Sequence, residues 1–407
     1  MTNLAEVHET WKRWFHVSDT NRIDVVLATA LSQKAKGTPI WLLIVSNSGD
    51  MKSEQIYALD DSDSKEYEVD GNTKMIHRFT PRTLVSGNPN VTDLAPKLKN
   101  KLLLIPDMAQ LLTLHPNDKS QVWAQLRDLF DGYAGSIAGT GKDVHYKDIR
   151  VTLLAGATPA LDDQILIHQS LGTRELLYRP KEEIDTNLLM EKVWQNEAVE
   201  EEMRREIKFV TLGFLLCRDM HEVEIPGWVE ERIKYMANYL SVMRASASID
   251  SYTGELRNTV YPEKPTRALK QLKKLFICLK CLDDNYPDEK ALEIVKEVVE
   301  SSIDPIRRHT LIEVIRNPDS STNKIATSLR VGQKTARSEL YTLWNLGLVD
   351  MRTAEGQYRT EMFWSANHGS QIVKDMIREL GLAEYVQASV SEYPHQTAVG
   401  DSETDPH

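Results

Sequence analysis

Three short apolar runs stand out along the chain, each ending abruptly in polar side chains. Trp41 to Val45 (WLLIV) reads as a buried strand; a polar loop follows it to Lys52 and Ser53, and then a helical stretch begins. Lys101 to Ile105 opens a second run, KLLLIPD, that closes on Asp107. A third, VTLLAGATPALD from Val151, ends in Thr158. Buried β-branched and Leu-rich strands separated by helical stretches predict a parallel sheet with ligands at the carboxyl ends of its strands.

Elsewhere the period is helical. Residues 1 to 40 place Trp11, Trp14, Phe15, Ile23, Val26 and Leu27 at helical spacing. Residues 118 to 131 form an amphipathic helix with Val122, Leu126, Leu129 and Phe130 on one face. Between the strands, the hydrophilic LDDSDSKEYEVDGNTK predicts a surface loop or hairpin, as does the glycine-rich DGYAGSIAGTGKD of residues 131 to 143. Pro180 and the acidic KEEID mark a boundary, after which residues 186 to 300 are almost wholly helical. The polar, acidic tail from 389 predicts disorder. The implied domains are a core over 1–180, a helical lid or bundle over 181–300, a third module over 301–370 and the tail over 389–407.

That third module has a clear pattern. RRHTLIEVIRN and STNKIATSL read as helices, the second opening on Ser/Thr caps. The turn RVG leads to a third helix, QKTARSELYTLWNLG, and GLVDMR and QYRTEMFWS read as two strands joined by TAEG. Helix, helix–turn–helix and two-stranded wing predict a winged helix, with Ala326, Leu329, Leu340 and Leu343 in its core. Such modules place the start of the third helix in the major groove and the wing against phosphates. Gln333, Lys334, Thr335, Arg337 and Ser338 are the candidate DNA contacts on the helix, with Arg352 and Arg359 on the wing. A protein-docking role for the same module is the competing expectation.

Charge sharpens this picture. The net charge is −11, which argues against a protein that coats nucleic acid over its whole surface. Between Pro305 and Ser365, however, nine Lys/Arg face six Asp/Glu, a basic island of +3. Three cysteines exclude a disulfide framework and suit a reducing cytoplasm; Cys278-x-x-Cys281 lies in a helical run and reads as core thiols. No apolar run reaches the ~18 residues of a membrane helix, and the polar, amphipathic N-terminus does not read as a signal peptide.

The segment WLLIVSNSGDMKS has the layout of a phosphate-binding loop, in which backbone N–H groups cradle phosphates, a Lys reaches the terminal ones and a Ser binds Mg²⁺. The G-x-x-x-x-G-K-[ST] pattern would put glycines where this chain has Ser46 and Met51, leaving Gly49 alone in the loop. In the order of its parts, over about residues 20 to 365, the chain resembles the AAA+ P-loop ATPases. Those with a C-terminal winged helix, found among replication, helicase and mobile-element proteins, are the nearest in pattern. The resemblance implies an α/β P-loop core that binds ATP with Mg²⁺ through Asn47, Ser48, Gly49, Asp50, Met51, Lys52 and Ser53. Lys52 would meet the phosphates, Ser53 and Asp107 the metal, and Thr158 would be the polar sensor. Arg174 or Arg179 would be an arginine finger reaching a neighbour's nucleotide in a homo-oligomer such as a ring, and Arg267 a second sensor at the γ-phosphate.

The chain departs from that family in two ways. Ser46 and Met51 lack the freedom of glycine to adopt positive φ, at about 1–3 kcal/mol for each residue forced there. Met108 follows Asp107 where the family has a Glu that orients the attacking water; Glu54, Asp128 and Asp131 are the possible substitutes. ATP binding with slow hydrolysis is therefore the expectation. A non-hydrolysing regulator is the alternative, and a P-loop phosphotransferase is a third.

Overall fold

The computed structural model describes residues 2–62, 71–86, 88, 90–137, 143–162, 172–181, 185–245, 260–355 and 360–379. Arg359, the tail over 389–407 and parts of the two hydrophilic loops lie outside these residues. Contacts divide the chain into two compact units, Met1–Ala245 with Pro262–Asp304, and Ser246–Tyr261 with Pro305–His407.

The first unit opens with helices α1 (Leu4–Trp14) and α2 (Asn21–Leu31). Its centre is a five-stranded parallel sheet of β1 (Trp41–Val45), β2 (Thr73–Met75), β3 (Lys101–Ile105), β6 (Val151–Ala157) and β7 (Leu176–Tyr178). The order across the sheet is β2-β3-β6-β1-β7, so β6 separates β1 from β3. Helix α3 (Lys52–Tyr57) follows β1, and α4 (Ala109–Leu112) and α5 (Pro116–Phe130) follow β3. The hairpin β4 (Ala134–Ile137) and β5 (Asp143–Tyr146) leads into β6. Beyond β7 come helices α6 (Thr186–Asn196), α7 (Glu200–Leu216), α8 (Gly227–Met243), α9 (Thr266–Lys280) and α10 (Asp288–Ser301).

The alternation of side chains along a strand explains the layering. Trp41, Leu43 and Val45 point with Leu103, Ile105, Leu153 and Ala155 onto the α5 side, against Val122, Trp123, Leu126 and Leu129. Trp41 meets Phe130 edge-on at 5.3 Å and donates its indole N–H to the Val151 carbonyl at 2.8 Å. Leu42 and Ile44, equally buried, face the opposite side of the sheet. Full burial of each such side chain contributes about 1.5–3 kcal/mol. This explains why the central strands are continuously apolar. They are covered on both faces.

The pattern of the sequence does not reveal β2. Thr73–Met75 sits at the sheet edge within the predicted hydrophilic loop, and its pairing with β3 and the Asp61 carboxylate hold it there. Of the 131–143 segment, Ala134–Ile137 is a strand that pairs antiparallel with Asp143–Tyr146.

In the second unit, α11 (Pro305–Arg316), α12 (Thr322–Leu329) and α13 (Gln333–Asn345) pack with a three-stranded antiparallel sheet. Its strands are β8 (Ser320–Ser321), β9 (Val349–Glu355) and β10 (Thr360–Ala366), in the order β8-β10-β9. Helix α14 (Gln371–Glu379) follows. Ser321 caps α12, and Arg330 ends it in the left-handed region at φ 55°. Ala326, Leu340 and Leu343 are buried as expected, Leu329 only partly. Trp364 fills the centre and donates to the Thr322 hydroxyl at 2.9 Å.

Candidate nucleotide site and candidate nucleic-acid face

At the carboxyl edge of the sheet the loop after β1 is held by three sets of bonds. Ser46 N–H continues the β1–β6 ladder onto the Ala157 carbonyl at 3.1 Å. Arg22, almost wholly buried on α2, clamps the loop: its guanidinium meets the Asp50 carboxylate at 2.9 Å and the Asp50 carbonyl and Gln55 Oε1 at 3.2 Å. Gln55 donates back to the Arg22 carbonyl. Two residues of the loop take positive φ, Gly49 at 86° and Met51 at 23°. Of the two positions where the family has glycine, only that of Met51 takes positive φ and carries strain; Ser46 does not.

Lys52 is 7% exposed, and its ammonium donates to the Asn47 carbonyl at 2.9 Å. Among the described residues no carboxylate pairs with it. A buried cation held only by a carbonyl carries an unmet demand for an anion. Beside it the Ser46 hydroxyl is buried without a partner. Asn47, Ser48 and Gly49 are exposed at the loop's outer turn.

The Ser53 hydroxyl approaches the Pro106 carbonyl at 3.5 Å, a weak bond that links the loop to the turn carrying Asp107. Asp107 is exposed, with one carboxylate oxygen accepting the Ala109 N–H at 2.8 Å. Strands β1 and β3 are two positions apart, so their tips lie about 10 Å from each other. Gly156 makes this approach possible: a Cβ there would stand 2.5 Å from the Pro106 carbonyl. Thr158 ends β6 at the same edge, half-buried, with its carbonyl accepting the Leu161 N–H.

The arginines divide between the two edges. Arg179, just past β7, lies at the carboxyl edge, where it pairs with Asp162 and donates to the Ser301 carbonyl at 3.2 Å. Arg174 precedes β7 and so lies at the amino edge, bound to Asp131 at 2.7 Å and to the Gly172 carbonyl at 2.8 Å. Arg267, at the start of α9, is also at the amino edge. It donates to the Thr173 carbonyl at 2.9 Å, lies 3.8 Å from Glu263 and stands over the Phe130 ring. The expectation that Arg267 touches the γ-phosphate is corrected. A strand's length, about 17 Å, separates it from the Lys52 loop.

The possible substitutes for the missing glutamate fare no better. Met108 is buried in the core. Asp131 follows α5 and Asp128 lies in its last turn, and this helix returns the chain to the amino edge. Glu54 is at the right edge but is gripped by Arg204 at 2.7 to 3.2 Å. The hydrogen bond to Glu54 raises the Arg204 pKa.

Several positioning residues have no motif of their own. Arg22 and Gln55 are ordinary helix residues in the sequence, and only the structure shows them buried. Among the described residues no cluster of His, Cys, Asp and Glu is built to hold a metal by itself, and none of the helices is long and apolar enough to cross a membrane. Burial pushes the Cys278 thiol up to about 12 and raises that of Cys281, as core thiols should behave.

In the second unit, Gln333, Lys334 and Thr335 are exposed on the first turn of α13. Gln333, Lys334 and half-buried Arg337 line a groove with Thr322, Asn323 and Glu361. Arg337 stands over the Tyr341 ring at 5.5 Å, and Ser338 is half-buried. Arg352 is not a free wing cation: it grips both oxygens of Asp319 at 2.8 and 2.9 Å and covers Phe363.

Five parallel strands flanked by helices, with a lysine-bearing loop after the first, give the arrangement of an α/β P-loop fold. No protein-family model matches the chain, and no curated protein does. Among solved structures the chain is similar to the Thermotoga maritima RuvB Holliday junction branch migration motor, at 13% identity over 94% of this chain and 97% of that one. The TM-score is 0.25, too low for the likeness to bear on the site.

Proposed function

We propose that the Ser46–Ser53 loop binds ATP with Mg²⁺ and that the chain couples nucleotide state to the handling of DNA. The observation that carries this reading is the buried Lys52 ammonium with a carbonyl as its partner, across β6 from Asp107. Lys52 would meet the phosphate oxygens, and Ser53 and Asp107 the metal shell. The nucleotide supplies a polyanion whose charge the lysine and metal neutralise. Arg22 and Gln55 hold the loop in place, and Asp107 keeps its turn by accepting the Ala109 N–H. Thr158 stands as the polar sensor and Arg179 as the finger residue at the correct edge, once a neighbouring subunit frees it from Asp162.

The second unit is read as a winged helix whose exposed Gln333, Lys334 and Thr335 contact DNA, with Arg337 and Ser338 behind them. A homo-oligomer follows if the finger acts between subunits. Equilibrium titration with ATP·Mg²⁺ tests the site: Lys52→Ala should lose binding, and unchanged affinity would remove the assignment. Native mass with and without ATP·Mg²⁺ tests assembly.

A specific observation favours a second reading, that of a nucleotide-sensing regulator. Among the described residues, the position after Asp107 holds the core residue Met108, and Glu54, the candidate substitute at this edge, is paired with Arg204. Steady-state hydrolysis with and without DNA separates the two. Turnover lost in Lys52→Ala and Asp107→Ala supports the ATPase; no turnover in the native protein supports the regulator.

A further inference from the structure

At the amino edge of the sheet, a strand's length from the Lys52 loop, the segment from Ser32 to Pro39 runs between basic walls. One wall carries Arg150, just before β6. The other is α9, which bears five Lys/Arg and no Asp/Glu over its 15 residues. Two clefts lie along this segment and adjoin each other, sharing Lys34, Lys36, Gly37 and Thr38 in their walls. Arg150 belongs to the first cleft; Lys270, Lys273 and Lys274 belong to the second.

These cations are poorly neutralised. Arg150 donates one nitrogen to the Gln33 carbonyl, while its Nη1 is buried and has no partner among the described residues. The Lys274 ammonium donates to the Lys36 carbonyl at 2.8 Å, and burial with Arg150 nearby pushes its pKa down to about 8. Lys34 donates to the Leu215 carbonyl and pairs with Asp219 at 3.1 Å. The other acids facing the groove are few: Asp131 is held by Arg174, Asp148 is exposed, and Glu230 faces Lys273 but pairs with Lys234. In a chain of net charge −11, six Lys/Arg thus line these two clefts: Lys34, Lys36, Arg150, Lys270, Lys273 and Lys274.

We propose that this groove binds the phosphate backbone of a single strand of nucleic acid. A compact phosphate needs cations converging on one point, whereas these are strung along two adjoining clefts. That distribution matches a repeating charge, and a concave cleft admits one backbone. None of the lining residues of the two clefts belongs to the Lys52 loop or to the second unit.

The test is fluorescence anisotropy of the full chain with a labelled oligothymidine across a salt series. Lys36, Lys270 and Lys273 are exposed, so the triple variant Lys36→Ala/Lys270→Ala/Lys273→Ala should keep its fold, checked by circular dichroism. It should bind about tenfold or more weakly, with the log–log salt slope reduced by about 2, as three lost contacts to a single strand require. Lys334→Ala/Arg337→Ala, run in parallel, should leave that portion of the slope in place. An unchanged slope in the triple variant, or native protein that ignores the oligonucleotide at low salt, overturns the proposal. Loss of ATP affinity instead of oligothymidine affinity would make the groove a nucleotide site and equally overturn it.

Discussion

At the carboxyl edge of the sheet, one buried ammonium stands among cations that each have a carboxylate. Arg22 has Asp50, Arg204 has Glu54 and Arg179 has Asp162, whereas Lys52 has a carbonyl. At the amino edge the proportions reverse: many cations, several of them exposed, share few acids. The first arrangement suits a compact ligand whose charge meets one fixed point. The second suits an extended ligand met by many weak contacts, whose attraction fades as salt rises. Local net charge alone would not have separated the two; the pairing of each charge does.

The sharpest way to break this comparison is at Lys52, which pairs with no carboxylate among the described residues. Lys52→Ala should weaken ATP·Mg²⁺ binding by roughly 100-fold, since a charge-assisted contact contributes about 1.5–3 kcal/mol. Arg22→Ala should cost about 3 kcal/mol of unfolding free energy, because it strands Asp50 beside the loop. Urea denaturation measures that loss, and an unchanged midpoint would show that the clamp holds nothing. Gly156→Ala forces a methyl against the Pro106 carbonyl and should destabilise by about 1–3 kcal/mol, with nucleotide affinity falling as the Asp107 turn shifts.

At the other edge the handle is pH. The Lys274 pKa is lowered in the folded state to about 8 from 10.5, so between these values the unfolded chain binds more protons. Stability should therefore gain from this group as pH rises from 8 to 10.5, and Lys274→Met should lack the gain. Thermal melts of both proteins across that range check it. The smallest effect is expected at Met51→Gly, which relieves a strained φ and should tighten nucleotide binding by about fivefold, or ~1 kcal/mol.

The sequence made the three central strands legible because each is buried on both faces and so is continuously apolar. It made the C-terminal helices legible because their caps and turns are local. It hid β2, whose three residues owe their strand to a neighbour rather than to their own pattern. The position of Lys52, Ser53 and Asp107 at the carboxyl edge was legible, because each lies in the connection that follows an apolar strand. The sequence was misleading at Arg267, because a residue's place along the chain does not reveal which edge of the sheet its helix reaches. Arg22 and Gln55 were invisible for the related reason that their partners are more than twenty residues away.

The order of the strands has a consequence for biosynthesis. The Lys52 loop and the Asp107 turn are both made before the strand that lies between them in space. During translation the ribosome must add 50 more residues after Asp107 before Ala157 emerges from synthesis, a delay of about 3–10 s. Through that interval the nascent chain holds two exposed apolar ribbons with a vacant slot between them, the period in which a chaperone would have most to shield.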